Sequence, residues 1–399
     1  YTRVGQLRNS SDKKALVGVM GCVAQLEGET LFAKSPGVDF VVGTQATGRI
    51  SEAIRNALDT RKNFYDLGVR EPSYDWTTAP AHRHSPFVAF VPIIEGCNKF
   101  CTYCIVPFSR GREKSLPAAE IVSQVLRLRD QGVKEVHLIG QNVNSYRPKS
   151  DAGMENFRGA TPFSKLLRAV AASGVERVKF TTSFPRDFHP DIVDAIDENE
   201  NLCNWVHLPF QAGRDRVLKA MRRGHTIESY LRKIDKIKNS SRKIALTTDI
   251  IVGFPTETEE DFLKTMETAR YCEFDSAYIF KYSPRPGTPA AEMDDDVSIQ
   301  EKTERFLRLE KVIRNSQAKS LRSCLNRVYE VLAEKQSNRK DKKDADAENG
   351  DTSKTNTSFS GHTTCHKVVN FESSNDVLGK IVKVKITESK TNTLYGEIC

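Results

Sequence analysis

No apolar run in this sequence approaches the ~18 residues that a membrane-spanning helix needs, which excludes an integral α-helical membrane protein. A disulfide framework is missing as well. The nine cysteines, at 22, 97, 101, 104, 203, 272, 324, 365 and 399, are odd in number and follow no regular disulfide spacing. No secretory signal with an apolar core opens the chain at Tyr1. We therefore expect a reducing, cytoplasmic compartment, where clustered cysteines serve as metal ligands or reactive thiols. A strong charge of one sign is also absent: 60 basic residues face 52 acidic ones, for +8. What the chain does have is 38% hydrophobic residues over 399 positions. That is enough to bury a core, in more than one domain at roughly 100–200 residues each.

The order of apolar runs divides the length. Residues 15–20 (ALVGVM) and 38–42 read as buried strands, with helical stretches from Leu26 and over 46–57. This is a βαβα pattern over residues 1–60. It shows no clear beginning and no opening methionine, so we expect this domain to be truncated. Residues 61–85, polar and proline-bearing, read as a linker. From 86 to 300, six strand-like runs begin near 87, 135, 177, 205, 244 and 276 and alternate with helical ones. Such alternation implies a parallel sheet with right-handed crossovers. Six units fall short of a closed eight-stranded barrel, so the fold class is α/β with a partial (β/α)6 barrel, whose chemistry belongs at the carboxyl strand ends. Residues 301–323 continue an amphipathic helix with Phe306, Leu309 and Ile313 on one face. Short β runs over 324–399 suggest a small all-β barrel, interrupted by an expected disordered insertion at 335–358.

Three of the cysteines sit together. Glu95-Gly96-Cys97-Asn98-Lys99-Phe100-Cys101-Thr102-Tyr103-Cys104 spaces them as C-x3-C-x2-C directly after the first barrel strand. Structural zinc wants four ligands, usually in two separated pairs, and no fourth Cys or His lies nearby in sequence. A [4Fe–4S] cluster held by three thiolates instead leaves one iron open.

This spacing, with an aromatic residue before the last cysteine, resembles the radical S-adenosylmethionine (SAM) signature. The resemblance narrows over EGCNKFCTYCIVPFSRG (95–111), LIGQNVN (138–144), HLPFQAG (207–213), DIIVGFPTET (249–258) and SPRPGTPA (283–290). Together they resemble the radical-SAM methylthiotransferases, and within them the MiaB-type branch that acts on N6-isopentenyladenosine in tRNA. It implies a radical-SAM partial barrel and a C-terminal RNA-binding TRAM domain. It further implies SAM and two [4Fe–4S] clusters in the complete family enzyme. Cys97, Cys101 and Cys104 would hold the SAM-cleaving cluster, and Cys22 one corner of the second. The segment around Cys22 (GCVAQ) matches the family's third N-terminal cysteine; the first two have no counterpart here. The 399-residue chain is therefore expected to cleave SAM without methylthiolating RNA. Tyr103, Gly140, Gln141, Asn142, Ser183 and Gln211, all near the cluster or at strand ends, would contact SAM or substrate. Thr256 and Ala212 depart from the family's more usual Gly and Ser.

Sister enzymes acting on threonylcarbamoyladenosine or on a ribosomal-protein aspartate share this fold, and the Gln141-Asn142-Val143-Asn144 run favours the isopentenyladenosine branch. From another class, a non-catalytic RNA-binding protein with a structural metal would fit the composition. The expected partner is a tRNA anticodon loop. Residues 214–243 hold 11 basic against 3 acidic residues and 308–322 add a basic stripe, candidates for phosphate neutralisation. Residues 326–399 are nearly neutral, leaving Lys383 and Lys385, on one face of a strand, as a local RNA contact.

Overall fold

A computed structural model describes residues 1–10, 15–68, 83, 85–336 and 357–399. The first unit is a parallel sheet in the order β1 (Gly18–Met20), β2 (Phe40–Val42), β3 (Phe64–Asp66). β2 is buried along its whole length, as its unbroken Phe-Val-Val requires of a central strand. β3 corrects the linker expectation. Residues 64–66 close the sheet because Phe64 packs onto the apolar cluster of Phe40, Val42 and Ile50. Residues 69–82 and 84 of that expected linker lie outside the described ones. A helix at Thr2–Ser10 adds a feature the apolar pattern did not show; Arg8 ties it down by donating to the Gly37 carbonyl at 2.8 Å and pairing with Asp39 at 2.5 Å.

The central unit places β4 (Val88–Glu95) beside a short antiparallel β5 (Lys114–Ser115) and then runs parallel through β6 (Glu135–Gly140) and β7 (Arg177–Phe180). β8 (Trp205–His207), β9 (Ala245–Val252) and β10 (Ser276–Lys281) form the other half. A parallel bridge from Val178 to Leu202 joins the halves, with backbone bonds of 2.8 Å on either side of it. Six parallel strands thus curve into a partial barrel, as the alternation predicts. Crossover helices pack the outside, and the two at Ile227–Lys238 and Glu259–Cys272 start at reciprocal capping boxes of Thr226 with Ser229 and Thr258 with Asp261. The long helix is Ile299–Arg322 and lies along β10 and the Glu259–Cys272 helix, burying Leu309 and Ile313.

Beyond it, β11 (Val328–Gln336), β12 (Thr357–Thr363), β13 (Val368–Ser373), β14 (Ile381–Ser389) and β15 (Leu394–Ile398) close into a barrel ordered β11-β12-β13-β15-β14. Alternation on β14 buries Val384 and Ile386 and turns Lys383 and Lys385 outward. The expected insertion is narrower than its forecast. Lys335 and Gln336 belong to β11, Thr357 and Ser358 to β12, and the intervening residues lie outside the described set.

The small barrel docks on the amino ends of the central strands. Arg177, at the start of β7, is fully buried and donates to the carbonyls of His362 at 2.9 Å and Glu330 at 2.8 Å. Glu135, at the start of β6, is buried under His137, His362 and His366. Burial alone would raise its carboxyl, but the surrounding rings outweigh burial and hold it well below the usual range. Burial likewise works against charge on His362, yet the Glu135 and Glu334 carboxylates bring that ring up to about 9.

Candidate active site at the carboxyl strand ends

The cysteine loop leaves β4 through Gly96, whose φ of 75° and close approach to the Arg112 carbonyl leave no room for a side chain: a Cβ would stand 2.3 Å from that oxygen. Gln141, just past β6, accepts from the Gly96 amide at 2.7 Å, so this residue braces the loop through its carboxamide oxygen. Thr102 fixes the loop's centre, its amide donating to the Met221 carbonyl at 3.1 Å and its hydroxyl to Ala220 at 2.9 Å. Cys101 is buried; Cys97 and Cys104 are half-buried. Burial pushes the Cys97 thiol up to about 11 and raises Cys104; a bound cation would work against that burial. The three sulfurs are not among the sets of ligand atoms that fall within 4.8 Å of one another.

Around this loop the strand ends carry polar atoms with nothing to bind. Asn142 Oδ1, Ser183 Oγ, Gln211 Oε1 and Arg223 Nε are buried without a hydrogen-bond partner. Each costs about 1–3 kcal/mol while unpaired, and three of the four belong to residues singled out from sequence. Backbone strain gathers in the same place: Phe100, Thr182, Gln211, Arg222 and Thr256 all hold positive φ, from 48° to 72°. Gly140 has a packing role, since a Cβ there would meet Ile94 Cγ2 at 2.3 Å. Tyr103 lies edge-on to Phe254 with centroids 6.5 Å apart, in an apolar wall with Tyr282 and Ala290.

Sequence reasoning missed the charged frame. Arg223 is buried, with Nη1 3.5 Å from Cys101 Sγ and 3.4 Å from the Tyr103 hydroxyl, Nη2 on the Pro209 carbonyl at 2.7 Å, and its plane 4.2 Å over Phe184. Lys99, inside the cysteine loop, pairs with Asp187 at 2.5 Å. Asp187 in turn accepts from Ser145 and, at 3.5 Å, from Asn142. Burial opposes its charge, but these donors hold its carboxyl down at about 2. Arg223 sat within the basic run of 214–243, where its neighbours masked it. That run is largely spent inside the fold: Arg216 pairs with Asp261, Lys236 with Asp194, and Arg242 donates to the Ile196, Asn199 and Leu202 carbonyls. The stripe at 308–322 is similarly engaged, Arg308 with Glu259, Arg314 with Glu310 and Lys319 with Glu273. Lys219 and Arg222 stay exposed beside the cysteine loop. Cys22 opens the helix Cys22–Glu27, which packs against the Val106–Arg110 helix just after Cys104.

Residues 91–269 match the model of the Radical SAM superfamily and residues 322–399 that of the TRAM domain. Curated relatives match along the whole chain. The tRNA-2-methylthio-N(6)-dimethylallyladenosine synthase of Caldicellulosiruptor saccharolyticus is 41% identical over 403 residues, covering 100% of this chain and 80% of its own length. That of Aquifex aeolicus is 39% identical and is covered over 86% of its length. The chain belongs to the tRNA-2-methylthio-N(6)-dimethylallyladenosine synthase family. Membership accounts for the fold in order, with the family's radical-SAM barrel and TRAM domain in place. Among solved structures, coproporphyrinogen III oxidase from Escherichia coli, a radical SAM enzyme, aligns over 74% of this chain and 70% of its own at a TM-score of 0.42 and 15% identity. Among the described residues no helix is long and apolar enough to cross a membrane.

Proposed function

We propose that the chain is a radical-SAM tRNA methylthiotransferase that converts N6-isopentenyladenosine next to the anticodon to its 2-methylthio derivative. The observation that carries this reading is the whole-length likeness to synthases of that name, at 38–41% identity. The site's chemistry supports it: three thiols on a braced loop open onto buried acceptors that no protein group satisfies. A bound [4Fe–4S] cluster with SAM supplies one-electron chemistry able to reach an unactivated C–H bond such as C2 of adenine.

The chain's own contribution is positioning and charge. Cys97, Cys101 and Cys104 hold the iron. The Arg223 guanidinium stands 3.5 Å from Cys101 Sγ and offers Nε to an anionic group. Asn142 Oδ1, Ser183 Oγ and Gln211 Oε1 would serve as acceptors for the amino and hydroxyl groups of SAM. Tyr103, Phe254 and Tyr282 wall the site with apolar surface that keeps water out. Cys22 is assigned to the second cluster on the family resemblance. Lys219 and Arg222 near the mouth, with Lys383 and Lys385 on the small barrel, take phosphates of the tRNA, whose anticodon loop presents an unstacked base at low cost.

Mass spectrometry of tRNA nucleosides from a deletion strain carrying this gene tests the reading. Gain of 2-methylthio-N6-isopentenyladenosine is the expected result when all three cysteines of the second cluster are supplied, whereas the 399 residues by themselves are expected to cleave SAM without forming it. Gain of a methylthiolated threonylcarbamoyl nucleoside instead would overturn the choice of substrate.

A further inference from the structure

The barrel's other end holds a second set of metal-ligand side chains, with no part in the chemistry above. Glu135, Cys203 and His366 are the described residues whose ligand atoms, one from each, all lie within 4.8 Å of one another. They come from three places: the first residue of β6, the turn leading into β8, and the turn between β12 and β13 of the small barrel. His366 Nε2 is sealed from solvent and lies 3.1 Å from Glu135 Oε1, outside hydrogen-bond geometry. His137 Nε2 touches the same Oε1 from outside that set.

We propose that a carboxylate oxygen of Glu135, Cys203 Sγ and a ring nitrogen of His366 bind a single zinc ion that fastens the small barrel to the central sheet, with His137 drawn in from beside Glu135 as the fourth ligand. A thiolate, imidazoles and one carboxylate oxygen are the donors of tetrahedral zinc, at about 2.0–2.3 Å from the ion. Ligands spaced by up to 4.8 Å need only a modest inward shift to reach such distances. Glu135 is already oriented for the task. His362 Nε2 spans both carboxylate oxygens, at 2.9 Å from Oε2 and 3.1 Å from Oε1, with Arg177 3.8 Å from Oε2, and this fixes the carboxylate plane between the rings. The thiolate and carboxylate together neutralise the ion. Of the nearby cations, Arg177 donates to two carbonyls besides facing Glu135 Oε2, and Lys179 lies over the Trp205 ring at 3.8 Å. Zinc would therefore bridge the two domains through His366, the one ligand contributed by the small barrel.

The test is metal analysis of the full chain purified anaerobically with zinc and without chelators. About one zinc per chain is expected, retained when Cys97, Cys101 and Cys104 are all changed to Ala and iron is lost. In that iron-free background, cobalt should give the thiolate charge-transfer band of a tetrahedral site. Cys203→Ser and His366→Gln should lose both zinc and band, while Cys272→Ser, at an equally buried cysteine, keeps them. Zinc should also raise the unfolding midpoint of the wild-type chain and leave that of folded Cys203→Ser unmoved. Absence of stoichiometric zinc in the wild type overturns the proposal. So does zinc kept by both ligand variants, or lost only when the Cys97 loop is changed.

Discussion

The two ends of the central sheet are built from the same strands and treat their polar side chains in opposite ways. At the carboxyl ends of β6, β7 and β8, Asn142, Ser183 and Gln211 keep buried oxygens unpaired, and the backbone beside them is strained. At the amino ends of the same strands, Arg177 and Glu135 are surrounded by partners, and what they bind is the small barrel. A buried acceptor that no protein group satisfies is a standing cost until a ligand or water donates to it, whereas the buried polar contacts of Arg177 and Glu135 join two domains. One end is reserved for chemistry and the other for cohesion.

Four changes would break or sharpen that contrast. Cys101→Ala should take reductive formation of 5′-deoxyadenosine from SAM to background and lower iron content, with the circular dichroism spectrum unchanged. Arg177→Met should do the reverse. By stranding Glu135 and two carbonyls it should cost about 3–5 kcal/mol in denaturant unfolding, while each folded molecule still cleaves SAM at the wild-type rate. Arg223→Met should slow SAM cleavage by roughly tenfold, equivalent to about 1.4 kcal/mol, with iron retained; Arg223→Lys should recover part of that rate. The smallest effect is expected for Gln211→Ala, a rise of a few-fold in the KM for SAM with little change in kcat. Equal losses of stability from Arg177→Met and Gln211→Ala would erase the distinction between the two ends.

The fold was legible because its signals are local. Apolar runs of four to eight residues alternating with helical stretches place all six parallel strands, and C-x3-C-x2-C names its own chemistry through ligand count. Asn142, Ser183 and Gln211 could be found because each follows a strand, a position topology already marks. Arg223 could not: it is one of 11 basic residues between 214 and 243, and only burial separates it from the solvated ones. The Lys99–Asp187 pair spans 88 positions, and periodicity carries no information at that range. β3 and the rims of β11 and β12 were hidden by polar surroundings, since edge and barrel strands expose half their residues. Charge misled for a related reason. A basic run reads the same whether its side chains reach into solvent or, like Arg242, cap three carbonyls of their own domain.

The placement of the small barrel sets a scale for the substrate. β9, with eight residues, spans about 26 Å from the docked end to the reactive end. An RNA that touches both Lys383 and the cysteine loop must run the height of the sheet, so a free nucleoside or trinucleotide can engage only one of them. With both of the proposed contacts made, the sheet would act as a gauge of length, rewarding a folded tRNA over its fragments with no base-specific contact.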